Sequence, residues 1–105
     1  MITANFFKNA DNKLLGFQIS GHAMQGEFGE DIACASVSSA VMLTCNTITE
    51  AYKSSAKVSV LENEVMLKLV DSDDNAEKVL LGLLMHMDIL SDEFSGRILV
   101  KVIEK

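Results

Sequence analysis

Two histidines and two cysteines are present in the chain, and one of each lies in the stretch SGHAMQGEFGEDIACASVS at 20–38, on either side of its glycine-bearing loop. His22 follows Gly21 directly, and Cys34 comes after Gly26, Gly29 and Asp31. An imidazole and a thiol are the working parts of a cysteine hydrolase. The imidazole takes the thiol proton and returns it to a leaving amine, the thiolate attacks a carbonyl carbon, and backbone N–H groups hold the oxyanion. Spacing alone leaves two readings open, because nucleophile and base must be neighbours in space and not in sequence. A buried structural cysteine is the commoner use of the residue.

The remaining candidates carry blander expectations. Ser38 lies one turn after Cys34 and is placed either to hydrogen-bond within the site or as an ordinary helix serine. Asp31 is expected to cap the helix that bears Cys34, with orientation of His22 as a second possible duty. Cys45, eleven residues after Cys34, would sit about 16 Å along the same helix at 1.5 Å per residue, too far for a disulfide. It reads as a small core residue, reactive only on unfolding. His86 interrupts an apolar run and reads as a boundary residue of the core. Zinc held by His22, Cys34, Cys45 and His86 would have suitable donors but lacks the paired short spacings of structural zinc modules, so no metal and no cofactor is expected.

The elements that must position these residues are legible in outline. TANFFKN (3–9) and LLGFQIS (14–20) read as strands joined by a turn at 10–13, where Asp and Asn favour local hydrogen bonds. From 31 to about 53 there is no Gly or Pro, and Ile32, Ser36, Ser39 and Leu43 recur at helical steps. That places Cys34 in the first turn of a helix, where the dipole and unpaired N–H groups favour a thiolate. Residues 23–30 would form a loop, with Gly26 and Gly29 giving it freedom to close over a substrate. KVSVLE and EVMLKLV alternate around Asn63 as a second hairpin. One of Asp71, Ser72, Asp73 and Asp74 caps a second helix over about 75–91, with Ala76, Val79, Leu80, Leu83, Leu84, Met87 and Leu90 as its apolar stripe. RILVKVIE closes as a strand. The order ββαββαβ predicts an α+β fold, a mixed and mainly antiparallel sheet covered by two helices.

Composition narrows the function classes. A chain of 105 residues with 49% apolar side chains, no proline and no repeat predicts one domain over 1–105. Runs such as VLLGLLMHM fall short of the roughly 20 residues that span a bilayer, and the first residues lack a secretory pattern, so a cytoplasmic protein is expected. In that compartment both cysteines are expected as thiols. A net charge of −6 is the wrong sign for direct nucleic-acid binding and would attract a basic protein or peptide.

Gly21-His22-Ala23, followed by Gly29-Glu30-Asp31-Ile32-Ala33-Cys34-Ala35-Ser36-Val37-Ser38, resembles the ribosomal-processing cysteine proteases, whose pattern is G-H-A, then G-x-D-I-x-C-A-x-V-S. Size and element order extend the resemblance over the whole chain. It implies a catalytic dyad of His22 and Cys34 in a small cytoplasmic homodimer. The implied substrate is the precursor of a basic large-subunit ribosomal protein, number twenty-seven, from which a short N-terminal extension is removed. Many members carry alanine where Ser36 stands and an aromatic where Met24 or Gln25 stands, departures that bear on substrate contacts more than on the dyad. The alternative is a non-catalytic domain that binds a ribosomal protein or assembly factor.

Overall fold

The computed structural model describes residues 1–21 and 28–105, with side chains from residue 32 onward in the second segment. The elements are β1 (Ile2–Lys8), β2 (Leu14–Ser20), α1 (Phe28–Asn46) continued by one π-helical turn (Thr47–Ala51), β3 (Ala56–Leu61), β4 (Glu64–Leu69), α2 (Asp74–Glu93) and β5 (Ile98–Glu104). This is the expected α+β order. One five-stranded sheet runs β3-β4-β2-β1-β5. Every pairing is antiparallel except that of β1 with β5.

Strand alternation decides which face is covered. Ala4 pairs with Ile19 and Phe6 with Phe17, Phe17 in turn faces Leu67, and all five are buried in one cluster with residues of both helices. The Phe6 and Phe17 rings lie 6.1 Å apart at a tilt of 46°. Both helices therefore pack on the same face of the sheet. Each large side chain fully buried there, such as Phe6, Ile19, Ile48 or Leu80, contributes about 1.5–3 kcal/mol relative to exposure.

Local details refine the sequence reading. The first hairpin turn is organised by Asn9, whose Oδ1 accepts from the amides of Asp11 at 2.9 Å and Lys13 at 3.0 Å, while Asn12 adopts φ 63°. Of the four capping candidates for α2, Asp73 does the work, accepting from the Ala76 amide at 3.0 Å. Its buried stripe is Ala76, Leu80, Leu83, Met87 and Leu90, with Val79 and Leu84 partly buried beside it.

α1 departs more. It begins at Phe28, so Asp31 lies inside it and is not its cap. The helix runs through Gly29, whose propensity penalty of about 1 kcal/mol is too small to stop it. The buried line is Ala33, Val37, Val41 and Ile48, whereas Ile32 and Leu43 of the expected stripe are 40% and 69% exposed. From Ile32 to Thr49 no side chain is charged, so more than one face offers an apolar repeat at helical spacing. For the same reason the segment Ile32–Ala51 is long and apolar enough to cross a bilayer, contrary to the expectation from shorter runs. Here its buried line packs into the core over the sheet.

Candidate active site

The histidine half of the motif is prepared by the end of β2. Gly21 has φ 82°, donates its N–H to the Asn63 carbonyl at 3.1 Å, and leaves no room for a Cβ against the Met1 carbonyl oxygen. Positive φ and close backbone approach each require glycine. The residue before His22 is thus clamped between the start of β1 and the β3–β4 turn. His22 itself, with Met24, Gln25 and Gly26, lies outside the described residues.

The cysteine half is carried by α1. Cys34 is 3% exposed and belongs to the core cluster with Ala33 and Val37. It stands six positions after the first helical residue, Phe28, about 9 Å along the axis. The expected first-turn position is therefore corrected to the second turn, beyond the range over which the helix terminus acts strongly. Gly29 and Glu30, expected in the loop 23–30, are helical. The side chain of Asp31 lies outside the described residues. Ser38 is half-buried one turn after Cys34, a separation of about 5–6 Å between Cβ atoms.

Beside Ser38 opens a groove of about 620 Å³ between α1 and the β3–β4 hairpin, with Ile19 of β2 at its floor and Val37, Met42, Cys45, Val58 and Val60 among its walls. Ile19 stands two residues before Gly21 and Val37 one turn after Cys34, so the groove brings the end of β2 and the early turns of α1 together. β3 is a sheet edge, and Val60 on it is 72% exposed. Cys45, expected as a core residue, packs half-buried against the core cluster, with one side toward this groove. Burial pushes its thiol pKa up, because desolvation disfavours the thiolate. Cys34 is the more enclosed of the two cysteines. His86 is exposed, not at the core boundary, and lines a separate cleft between α1 and α2 with Ser36, Ser39 and Thr47. Cys45 and His86 therefore face different cavities. Sequence reasoning missed the roles of Gly21 and of Val58 and Val60. A long uncharged helix followed by a strand with the alternating valines Val58 and Val60 was the available signal for the groove.

Three comparisons place this geometry among known proteins. The family model described as cysteine protease Prp matches residues 1–98. The ribosomal processing cysteine protease Prp of Staphylococcus aureus is 27% identical over 101 residues, covering 93% of this chain and 95% of the relative, in two strains alike. A Streptococcus mutans protein of known crystal structure superposes with TM-score 0.92 at 23% identity, over 100% of this chain and 96% of its own. The S. aureus protease solved with a substrate peptide gives 0.90 at 24% identity, and solved with a covalently linked product peptide 0.87 at 25%, each over 97% of this chain and 99% of the other.

Proposed function

The chain belongs to the cysteine protease family Prp, and from that premise we propose that it uses Cys34 as nucleophile and His22 as base. Its substrate in this reading is the precursor of large-subunit ribosomal protein number twenty-seven, cut to remove its N-terminal extension. The observation that supports the dyad is the shared groove: Ile19, two residues before the clamped Gly21, and Val37 and Ser38, just after Cys34, line one space. The end of β2, which leads into His22 in sequence, and the stretch of α1 just after Cys34 thus meet at one groove.

In this mechanism His22 accepts the Cys34 Sγ proton, and the thiolate attacks the scissile carbonyl carbon. The carbonyl oxygen becomes an oxyanion. Its donors come from the first turn of α1, where N–H groups lack helical partners; the Cys34 amide, inside the second turn, is spent on the helix ladder. Collapse breaks the C–N bond as His22 returns the proton to the amine. Water, deprotonated by His22, then releases the acyl group. Because Cys34 stands away from the helix terminus, the thiolate depends on His22 more than on the dipole. Asp31 and Ser38 are supporting residues in this reading, Asp31 with the role of orienting His22 and Ser38 that of a hydrogen-bonding group within the site. The enzyme acts as a cytoplasmic homodimer, and its net charge of −6 favours encounter with a basic substrate.

Incubation of the purified protein with the precursor, followed by mass spectrometry, tests the reading. A new N-terminus that is absent with Cys34→Ser supports it. An intact precursor, or equal cleavage by the variant, refutes it.

A further inference from the structure

We propose that the face of the sheet turned away from the helices docks single-stranded RNA. The choice of RNA among polyanions rests on the reading above, whose substrate is a ribosomal protein; the surface itself stands apart from the cleavage chemistry.

Strand alternation defines the surface. Ala4, Phe6, Phe17 and Leu67 point into the core beneath the helices, so Asn5, Phe7, Gln18, Met66 and their register partners point the other way. No described element covers them.

Charge is segregated onto this face. Lys57, Lys68 and Lys101 are exposed on it by register, and the Lys105 ammonium lies over the Phe7 ring at 4.8 Å. Among the described strand residues its one carboxylate is Glu64, which is engaged, accepting from Gln18 Nε2 at 2.9 Å. Of nine basic and fifteen acidic side chains in the chain, the face thus holds four cations against that carboxylate. The net charge of −6 averages this away. Acidic residues from the cap Asp73 to Glu93 run along α2 on the other side of the sheet, and exposed charges more than about 10 Å apart are screened at 0.1 M salt. The expectation against nucleic acid, drawn from net charge, therefore does not carry over to this face.

Stability does not explain the arrangement. Lys57 and Lys68 stand directly opposite each other in the β3–β4 register, where like charges destabilise a sheet, and neither ammonium has an ion pair among the described residues. A bound polyanion turns that repulsion into attraction.

The chemistry between the lysines fits bases. A recess of about 420 Å³ opens over Gly16, walled by Phe7, Leu15, Gln18, Met66, Lys68 and Lys105. An aromatic ring and apolar side chains to stack on, an amide, and cations for flanking phosphates are the means by which sheet platforms take single strands. Asn5, the register partner of Gln18, has its Oδ1 buried without a hydrogen-bond partner among the described residues. Base amino groups supply donors for such an acceptor, whereas the carboxylates of an acidic peptide bring acceptors alone. From β3 with Lys57 to β5 with Lys101 the sheet spans four strand spacings, about 19 Å, so a chain crossing the strands meets cations on both sides of the recess.

Fluorescence anisotropy of a short labelled RNA of mixed sequence, titrated with the full-length protein, tests the proposal. Binding should weaken as salt rises, in step with the phosphates contacted. Lys57→Glu/Lys68→Glu should weaken it at least about tenfold and flatten the salt dependence. Phe7→Leu should weaken it at least about fivefold, the scale of one lost stacking contact. Lys13→Glu/Lys78→Glu, the same change of charge beside α2, should bind as wild type does; equal loss in both double variants would reduce the effect to net charge and overturn the docking face. Lys68→Gln relieves the like-charge pair, so it should melt no lower than wild type and still bind RNA more weakly; a lower melt would overturn the argument from repulsion. Wild type that binds no RNA at low salt overturns the proposal. So does displacement by a polyglutamate peptide as effective as by unlabelled RNA, which would make the occupant an acidic peptide. A sedimentation mass halved by Lys57→Glu/Lys68→Glu, with no RNA bound by wild type, would give the face to a second copy instead. No peptide is cleaved in these measurements, so their failure leaves the proteolytic reading standing.

Discussion

The two helices share one sheet face but are built on different terms. α2 opens with the Asp73 cap and acidic Asp74 and Glu77 in its first turn, which suits the positive end of its dipole. One clean stripe reaches the core. α1 has no charge from Ile32 to Thr49 and presents three linings: aliphatic toward the core, small and hydroxylated toward α2, and mixed apolar with Cys45 toward the open groove. Its threonines turn back on the helix, Thr44, Thr47 and Thr49 donating to the carbonyls of Ala40, Leu43 and Cys45 at 2.8, 2.7 and 2.8 Å. Such back-bonding satisfies hydroxyls at a small cost in helix stability, and the helix ends in a π turn. α2 is organised for stability. α1 gives up part of that to present chemistry on several sides.

Substitutions should therefore separate the helices by what they damage. The largest effect is expected for Cys34→Ser on α1: cleavage should fall by at least about a thousandfold, as loss of a protease nucleophile does, with the thermal melt nearly unchanged. A comparable loss of folding would erase the contrast. On α2, Leu80→Ala, at a fully buried position, should lower stability by about 2–5 kcal/mol in urea titrations while the folded fraction keeps its turnover. A drop in turnover beyond the unfolded fraction would mean that α2 also shapes the site.

Smaller effects sharpen the same division. Cys45 should be alkylated in the native protein, slowly, with a rate that rises with pH to a midpoint above the value of about 8.5 for an ordinary thiol, since burial raises its pKa. A midpoint at or below that value would show that the α1 groove is wetter than its lining indicates. Cys45→Ser should cleave the precursor nearly as wild type does.

Asp73→Ala should lower the melting temperature modestly at neutral pH. The Asp73 carboxyl is held below the usual carboxylate range, first by the nearby Ser54 hydroxyl and then by the Ala76 amide. Ser54 Oγ is buried without a well-formed hydrogen bond of its own, so its contribution is that of a close dipole. With the folded pKa depressed, the stabilisation is complete above the unfolded value of about 3.9 and fades as pH falls through the folded one. A difference that persists unchanged into strong acid would assign the effect to something other than the carboxylate.

The same contrast explains what could be read from residues alone. β2 was legible from end to end, and α2 within a few residues, because alternation or a single stripe left one way to bury them. The face of α1 was not. Ile32, Ser36, Ser39 and Leu43 fit helical spacing as well as Ala33, Val37, Val41 and Ile48 do, and only the sheet beneath chooses between them. Asp31 looked like a cap because a carboxylate after glycine usually marks a start, yet the chain was already helical at Phe28. Cys34 and His22 were legible as a motif through resemblance. The position of Gly21 against Met1 and Asn63, and the groove over an edge strand, arise from contacts between distant segments that no local pattern carries.

β1 lies between its sequence neighbour β2 and β5, with Ile2 beside Ile98 and Lys8 beside Glu104. A nascent chain can close the β1–β2 hairpin early, but the other flank of β1 waits for a strand synthesised nearly the whole length of the chain later. Until then that flank is an unpaired edge, the kind of surface through which chains associate wrongly. Loop closure over such a separation is also slow. β5 is thus the element expected to dock last, so weakening it, as in Val100→Ala, should speed unfolding while leaving the folding rate nearly untouched.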